Sequence, residues 1–128
     1  MPPTRILLVD DEVSVLELIT TTLETCGYAI DTAQTSQEAM QKIRGNDYGM
    51  VILDLLLPDM NGFLLSQEIR RVRPGLGNRI LFISGILFGQ STVEQLGTIG
   101  AGFLSKPFQL RALIEAVDKI SQGKTLNA

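Results

Sequence analysis

Histidine does not occur anywhere in the 128 residues. That absence excludes Ser–His and Cys–His nucleophilic catalysis, imidazole metal sites and any role as a phosphohistidine donor. Cysteine occurs once, at Cys26, which excludes an internal disulfide and a multi-cysteine zinc site. No apolar run is long: the longest, Ile80 to Phe88, is broken by Ser84 and Gly85 and falls well short of the roughly 20 residues a bilayer span requires. Basic residues are in the minority, 11 against 14 acids for a net charge of −3. They form no stripe, which argues against direct nucleic-acid binding. The opening Met-Pro-Pro-Thr-Arg is followed by four apolar residues and then acids, which is not the pattern of a signal peptide. A cytoplasmic protein is the expectation.

What remains is 45% hydrophobic and 20% charged, the balance of a soluble globular chain. The length fits one domain over 1–128, with its core at about 4–122 and a fraying tail at 123–128. Met1 and the short tail read as a small complete protein, although a domain cut from a larger regulator would read the same.

Short apolar runs at 5–9, about 29–32, 50–53, 80–83 and 103–104 alternate with helical periodicity. A first helix is expected after Asp11, with Leu16, Ile19 and Leu23 inward and Gly27 as its stop. Thr35 and Glu38 form a capping box for a second, which ends at Gly45. A third runs from about Gly62 to Val72 until Pro74-Gly75 breaks it, with Leu65, Ile69 and Val72 inward. A fourth begins near Ser91, where Glu94 completes another box and Gly97 weakens it. A fifth covers about Gln109 to Ser121, with Leu110, Leu113, Ile114, Val117 and Ile120 expected to bury. Five strands alternating with five helices predict an α/β fold, a parallel sheet with right-handed crossovers and helices on both faces.

Two of the buried runs end in acid. Arg5-Ile6-Leu7-Leu8-Val9 leads into Asp10-Asp11-Glu12, and Met50-Val51-Ile52-Leu53 leads into Asp54. In an open parallel sheet both sets emerge at the carboxyl edge, where ligands bind. Two carboxylates about 5 Å apart repel by roughly 3 kcal/mol at an effective dielectric near 20. Such a cluster calls for a hard divalent cation, Mg²⁺ above all, and offers an oxygen nucleophile. The competing explanation is that the acids cap helix N-termini, which weakens once Asp54 joins Asp10 and Asp11. Ser84 ends the fourth run at the same edge, with Gly85 leaving the backbone open. Lys106 follows the fifth run and can reach phosphate or carboxylate there. Taken alone, Ser84 reads as a cap, Lys106 as a surface lysine and Phe103 as a core aromatic.

Together these pieces resemble the receiver domain of two-component response regulators, the CheY-like superfamily. The resemblance rests on Val9-Asp10-Asp11-Glu12, on Ile52-Leu53-Asp54-Leu55 with Pro58 and Gly62, on Ile83-Ser84-Gly85, on Gly100-Ala101, and on Phe103-Leu104-Ser105-Lys106-Pro107-Phe108. It covers nearly the whole chain. It implies a flavodoxin-like doubly wound sheet of strand order 2-1-3-4-5 with five helices. It implies that Asp54 is the phosphoacceptor. Mg²⁺, or Mn²⁺ in its place, would be held by Asp11, Asp10, Asp54 and the backbone carbonyl of Leu56. Ser84 and Lys106 would hold the phosphoryl oxygens, and Ser84 with Phe103 would form the switch. Lys106-Pro107 would be a cis peptide.

The phosphodonor would be a sensor histidine kinase or histidine phosphotransfer protein. The signal would leave through the face of the fourth helix, fifth strand and fifth helix, which is also a candidate homodimer surface. No separate substrate would be turned over, so the chain would not be an enzyme in the usual sense, and neither nucleic acid nor membrane would be a direct partner. Leu56 and Ile86 stand where receivers often carry polar groups, so slow loss of the phosphoryl group is expected.

A phosphatase of the haloacid dehalogenase type would need a second Asp two residues after the first, where Leu56 stands. An unphosphorylated interaction module with the same fold is the remaining alternative. A nucleotide or flavin binder would need a glycine-rich loop where Asp10-Asp11 sits.

Overall fold

The computed structural model describes residues 4–85 and 102–123. The fourth helix expected near Ser91, the position Ile86 and the end of the tail at 124–128 lie outside the described residues. Five strands form one parallel sheet: β1 (Arg5–Val9), β2 (Ala29–Ala33), β3 (Met50–Asp54), β4 (Ile80–Ser84) and β5 (Gly102–Ser105). Their order is β2-β1-β3-β4-β5. Direction reverses beside β1, so a crevice opens at the carboxyl ends of β1 and β3.

The three inner strands are buried on both faces, which is why their sequences are nearly continuous apolar runs. Alternate residues point to opposite sides. Leu7, Val9, Val51, Leu53 and Phe82 meet α2 (Ser36–Gly45) and α3 (Gly62–Val72) on one face through Ile43, Leu65 and Ile69. Ile6, Leu8, Ile52, Leu81 and Ile83 meet α1 (Val13–Thr25) and the C-terminal helix (Leu110–Ser121) on the other.

Helix ends follow the local chemistry. Gly27 takes a φ of +95°, and its amide donates to the Glu24 carbonyl while that of Tyr28 donates to Leu23, closing α1 in the left-handed turn that glycine adopts most cheaply. Thr35 Oγ1 accepts from the Glu38 amide at 3.1 Å and so caps α2. In α3, Leu65 and Ile69 bury as expected, while Val72 is only partly buried. On the C-terminal helix the expectation needs correction. Leu113, Ala116, Val117 and Ile120 are buried, Ile114 only partly, and Leu110 is exposed. Leu110 is the first residue of this helix and is 38% exposed among the described residues, so the apolar stripe buries only from the second turn on.

Candidate functional site

Strand register brings the acids together. β1 pairs with β3 up to Val9↔Leu53, so Asp10 and Asp54 each lie one step beyond that pair. The Asp10 amide donates to the Ala33 carbonyl at 3.0 Å, and the Leu55 amide donates to Ile83 at 3.0 Å. Each strand thus continues its ladder through the residue that matters. Asp10 is 0% exposed and Asp54 3%. Each carboxylate also turns back on its own chain: Asp10 Oδ1 accepts from the Glu12 amide at 2.9 Å, and Asp54 Oδ1 accepts from the Leu56 amide at 3.0 Å. These local bonds fix the two side chains and leave one oxygen of each to face the crevice.

Lys106 occupies that space. Its Nζ donates to Asp10 Oδ2 at 2.7 Å, to Asp54 Oδ2 at 3.0 Å and to Glu12 Oε1 at 3.3 Å. The side chain leaves β5 at a cis peptide to Pro107, and its amide donates to the Ser84 carbonyl at 2.7 Å. Ser84 is fully buried on β4, one residue past the partner of Asp54. Phe103 is half-buried beside the apolar cluster of the α2–α3 face.

The electrostatics are those of too many acids for one cation. Burial raises the Asp10 carboxyl above its ordinary range; the Lys106 ammonium and the Glu12 amide work against that, and the neighbouring Asp54 charge adds to it. For Lys106, burial alone would weaken the ammonium. The hydrogen bonds to Asp10 and Asp54 outweigh it and hold the group protonated well above its usual range. Asp11 and Glu12 are exposed beside the pair. One carboxylate oxygen from each of Asp10, Asp11, Glu12 and Asp54 lies within 4.8 Å of the others. Four carboxylates against one ammonium leave net negative charge, and the all-oxygen donor set suits a hard divalent cation.

Two glycines near the site differ in kind. At Gly62, the first residue of α3, a Cβ would stand 2.3 Å from the Asp54 carbonyl oxygen and 2.7 Å from Leu55 Cα. Only glycine lets α3 start against the end of β3. At Gly85 a Cβ would meet only Lys106 Cβ, at 3.9 Å, so sterics do not demand glycine there. The reading from sequence assigned no role to Glu12 or Asp59. Glu12 was visible as the third acid of a run. Asp59, whose carboxylate accepts from Ser36 and Gln37 of α2, carried no signal, because Pro-Asp in a loop is ordinary turn composition.

The match to known proteins agrees with this geometry. Residues 6–118 match the response regulator receiver domain. The chain belongs to that family. The transcriptional regulatory protein GlrR of Escherichia coli is 34% identical over 116 residues, covering 91% of this chain and 26% of its own length. A receiver domain protein from Methanospirillum hungatei, described as CheY-like, superposes with a TM-score of 0.85 at 28% identity over 94% of this chain and 95% of its own. The response regulator TrrA of Thermotoga maritima, solved in complex with Mg²⁺-BeF, gives a TM-score of 0.80 at 32% identity, over 91% and 98% of the two chains. This receiver spans between 26% and 51% of the length of the first curated relatives it matches. No helix among the described residues is long and apolar enough to cross a membrane.

The raised titration of Asp10 fixes a sign. Folded Asp10 binds its proton more tightly than unfolded Asp10, so its ionisation opposes folding and its protonation favours it. Without divalent cation, the wild type will therefore gain stability relative to Asp10→Asn as pH falls from neutral toward the ordinary carboxylate range. Urea midpoints at several pH values read this directly. A difference that stays flat, or moves the other way, contradicts the account.

Proposed function

We propose that this receiver accepts a phosphoryl group on Asp54 from the phosphohistidine of a sensor kinase or phosphotransfer protein, with Mg²⁺ or Mn²⁺ present. The observation that carries the reading is the buried Asp54 carboxylate sharing the Lys106 ammonium with Asp10, at 3.0 and 2.7 Å. An Asp54 oxygen attacks phosphorus as the P–N bond breaks, and the imidazole leaves with the electron pair. Lys106 neutralises charge on the transferring group, and the Ser84 hydroxyl donates to one of its oxygens, so the protein positions and stabilises. The cation would be held by Asp10, Asp11, Asp54 and the Leu56 carbonyl. It supplies neutralisation of phosphoryl charge that four acids cannot supply.

The new dianionic group competes for Lys106. Ser84 and Phe103 then rearrange together, and the change passes to the surface around β5 and the C-terminal helix. The Met1–Ala128 span works as one regulatory domain, without a turned-over substrate.

Incubation with acetyl phosphate, followed by intact mass, tests the assignment. One phosphoryl group should be gained, and only when Mg²⁺ and Asp54 are both present; Asp54→Asn should gain none. A folded wild type that gains none, and takes none from a phosphorylated histidine protein, would favour an interaction module instead. Leu56 is half exposed beside Asp54 and offers an attacking water no hydrogen bond. Loss of the group should be slow, and Leu56→Asn should speed it several-fold; fast loss in the wild type, no faster in the variant, refutes this.

A further inference from the structure

The loop between β3 and α3, residues 55–61, is fixed at its base and at its tip. At the base, the Gly62 amide donates to the Leu55 carbonyl at 2.9 Å, and Leu56 forms an isolated antiparallel bridge with Asn61. At the tip, Pro58, Asp59 and Met60 are exposed. Yet the Asp59 carboxylate makes three bonds to another element. Oδ1 accepts from the Ser36 amide at 3.0 Å, and Oδ2 accepts from the Ser36 hydroxyl at 2.7 Å and from the Gln37 amide at 3.3 Å. Ser36, the first residue of α2, is 5% exposed. Thr35 supplies the cap for the third helical amide, at Glu38, so Asp59 completes from a distance what the local cap leaves undone. The negative charge also sits at the positive end of the helix dipole. These donors, the Ser36 hydroxyl first, hold the Asp59 carboxyl below its ordinary range.

The placement gives the contact a second consequence. α2 follows β2 and the loop follows β3, while β1 lies between them in the sheet. The bond therefore joins the two connections that flank Asp10 and Asp11. It clamps the loop that follows Asp54 and carries the Leu56 carbonyl.

We propose that Asp59 is a positioning residue for the cation site: its tether to the N-terminus of α2 holds the 55–61 loop, and with it the Leu56 carbonyl, in place. The proposal rests on the cation reading given above. Groups bonded directly to metal ligands typically carry about tenfold or more in affinity; Asp59 acts one step further out, through the loop, so about tenfold is the upper scale for its effect. Linkage makes the effect reciprocal, so bound cation should protect the Ser36 and Gln37 amides from exchange.

The test uses the whole chain, with Mg²⁺ titrated against amide NMR signals and hydrogen exchange followed at Leu56, Ser36 and Gln37. Asp59→Ala should weaken Mg²⁺ severalfold, up to about tenfold, and speed exchange at Leu56. Asp59→Asn, which keeps an acceptor, should recover most of the loss. Ser36→Ala, which removes only the hydroxyl donor, should fall between. Thr35→Ala removes the cap on the Glu38 amide but none of the three bonds to Asp59, so it should weaken Mg²⁺ clearly less than Asp59→Ala does. Wild-type Mg²⁺ affinity and Leu56 exchange in a folded Asp59→Ala would overturn the proposal. So would a Thr35→Ala loss as large as that of Asp59→Ala, since general helix stability would then be the cause. If the wild type binds no Mg²⁺, the cation reading fails on its own. The exchange arm still decides the tether: faster exchange at Leu56 in Asp59→Ala supports it, and unchanged exchange defeats it.

Discussion

Lys106 Nζ lies within hydrogen-bond distance of two buried carboxylates that arrive on different strands, Asp10 from β1 and Asp54 from β3. Removing a charge from water costs several kcal/mol even after relaxation, and two like charges compound that cost. The pair is tolerable because one ammonium serves both, while the Glu12 and Leu56 amides satisfy the other oxygens. Lys106 itself leaves β5, so its side chain passes over the end of β4 to reach β3 and β1. Four of the five strands must therefore stand in register for the charges to meet.

That dependence explains why the fold and the site are hard to separate. The inner strands bury almost everything they carry, and this gives the sheet a rigid edge. Rigidity places acids where they repel one another, and the repulsion creates the demand for cations. One cation is built in as Lys106. The remaining negative charge, spread over Asp11 and Glu12 as well, leaves room for a mobile one. A site in this condition responds strongly to a further dianionic group, because any new anion competes for the same ammonium. The loop beyond Asp54 is braced correspondingly, by Gly62 against the strand and by Asp59 against α2.

Much of this was legible in the chain. Apolar runs ending in acid marked β1 and β3, and the resemblance to receivers implied the strand order that the structure displays. The start at Thr35 and the stop at Gly27 were carried by local capping chemistry, which needs no knowledge of distant contacts; α2 also ends at Gly45, but there Asn46 Nδ2 donates to the Lys42 carbonyl and caps it. What could not be read depends on distance. Leu110 fits the helical period but stands in the first turn and is exposed, and periodicity does not say where along a helix burial begins. Asp59 sits in an ordinary turn, and its partner is 23 positions away. The glycine at 62 was visible as part of a pattern, but its reason, a carbonyl 2.3 Å from where a Cβ would stand, is a fact of packing. Lys106 could be placed at the right edge, yet its three simultaneous carboxylate partners required coordinates.

The central claim is that Asp54, with its cation partners, forms a receptor for a phosphoryl-like group. Addition of beryllofluoride and Mg²⁺ to the chain, followed by amide NMR, tests it without a phosphodonor. The account predicts a saturable one-to-one complex, with shifts at Leu55, Leu56, Ser84 and Lys106, and no complex in Asp54→Asn. A folded wild type that shows no such shifts, or an Asp54→Asn variant that shows the same ones, would contradict it.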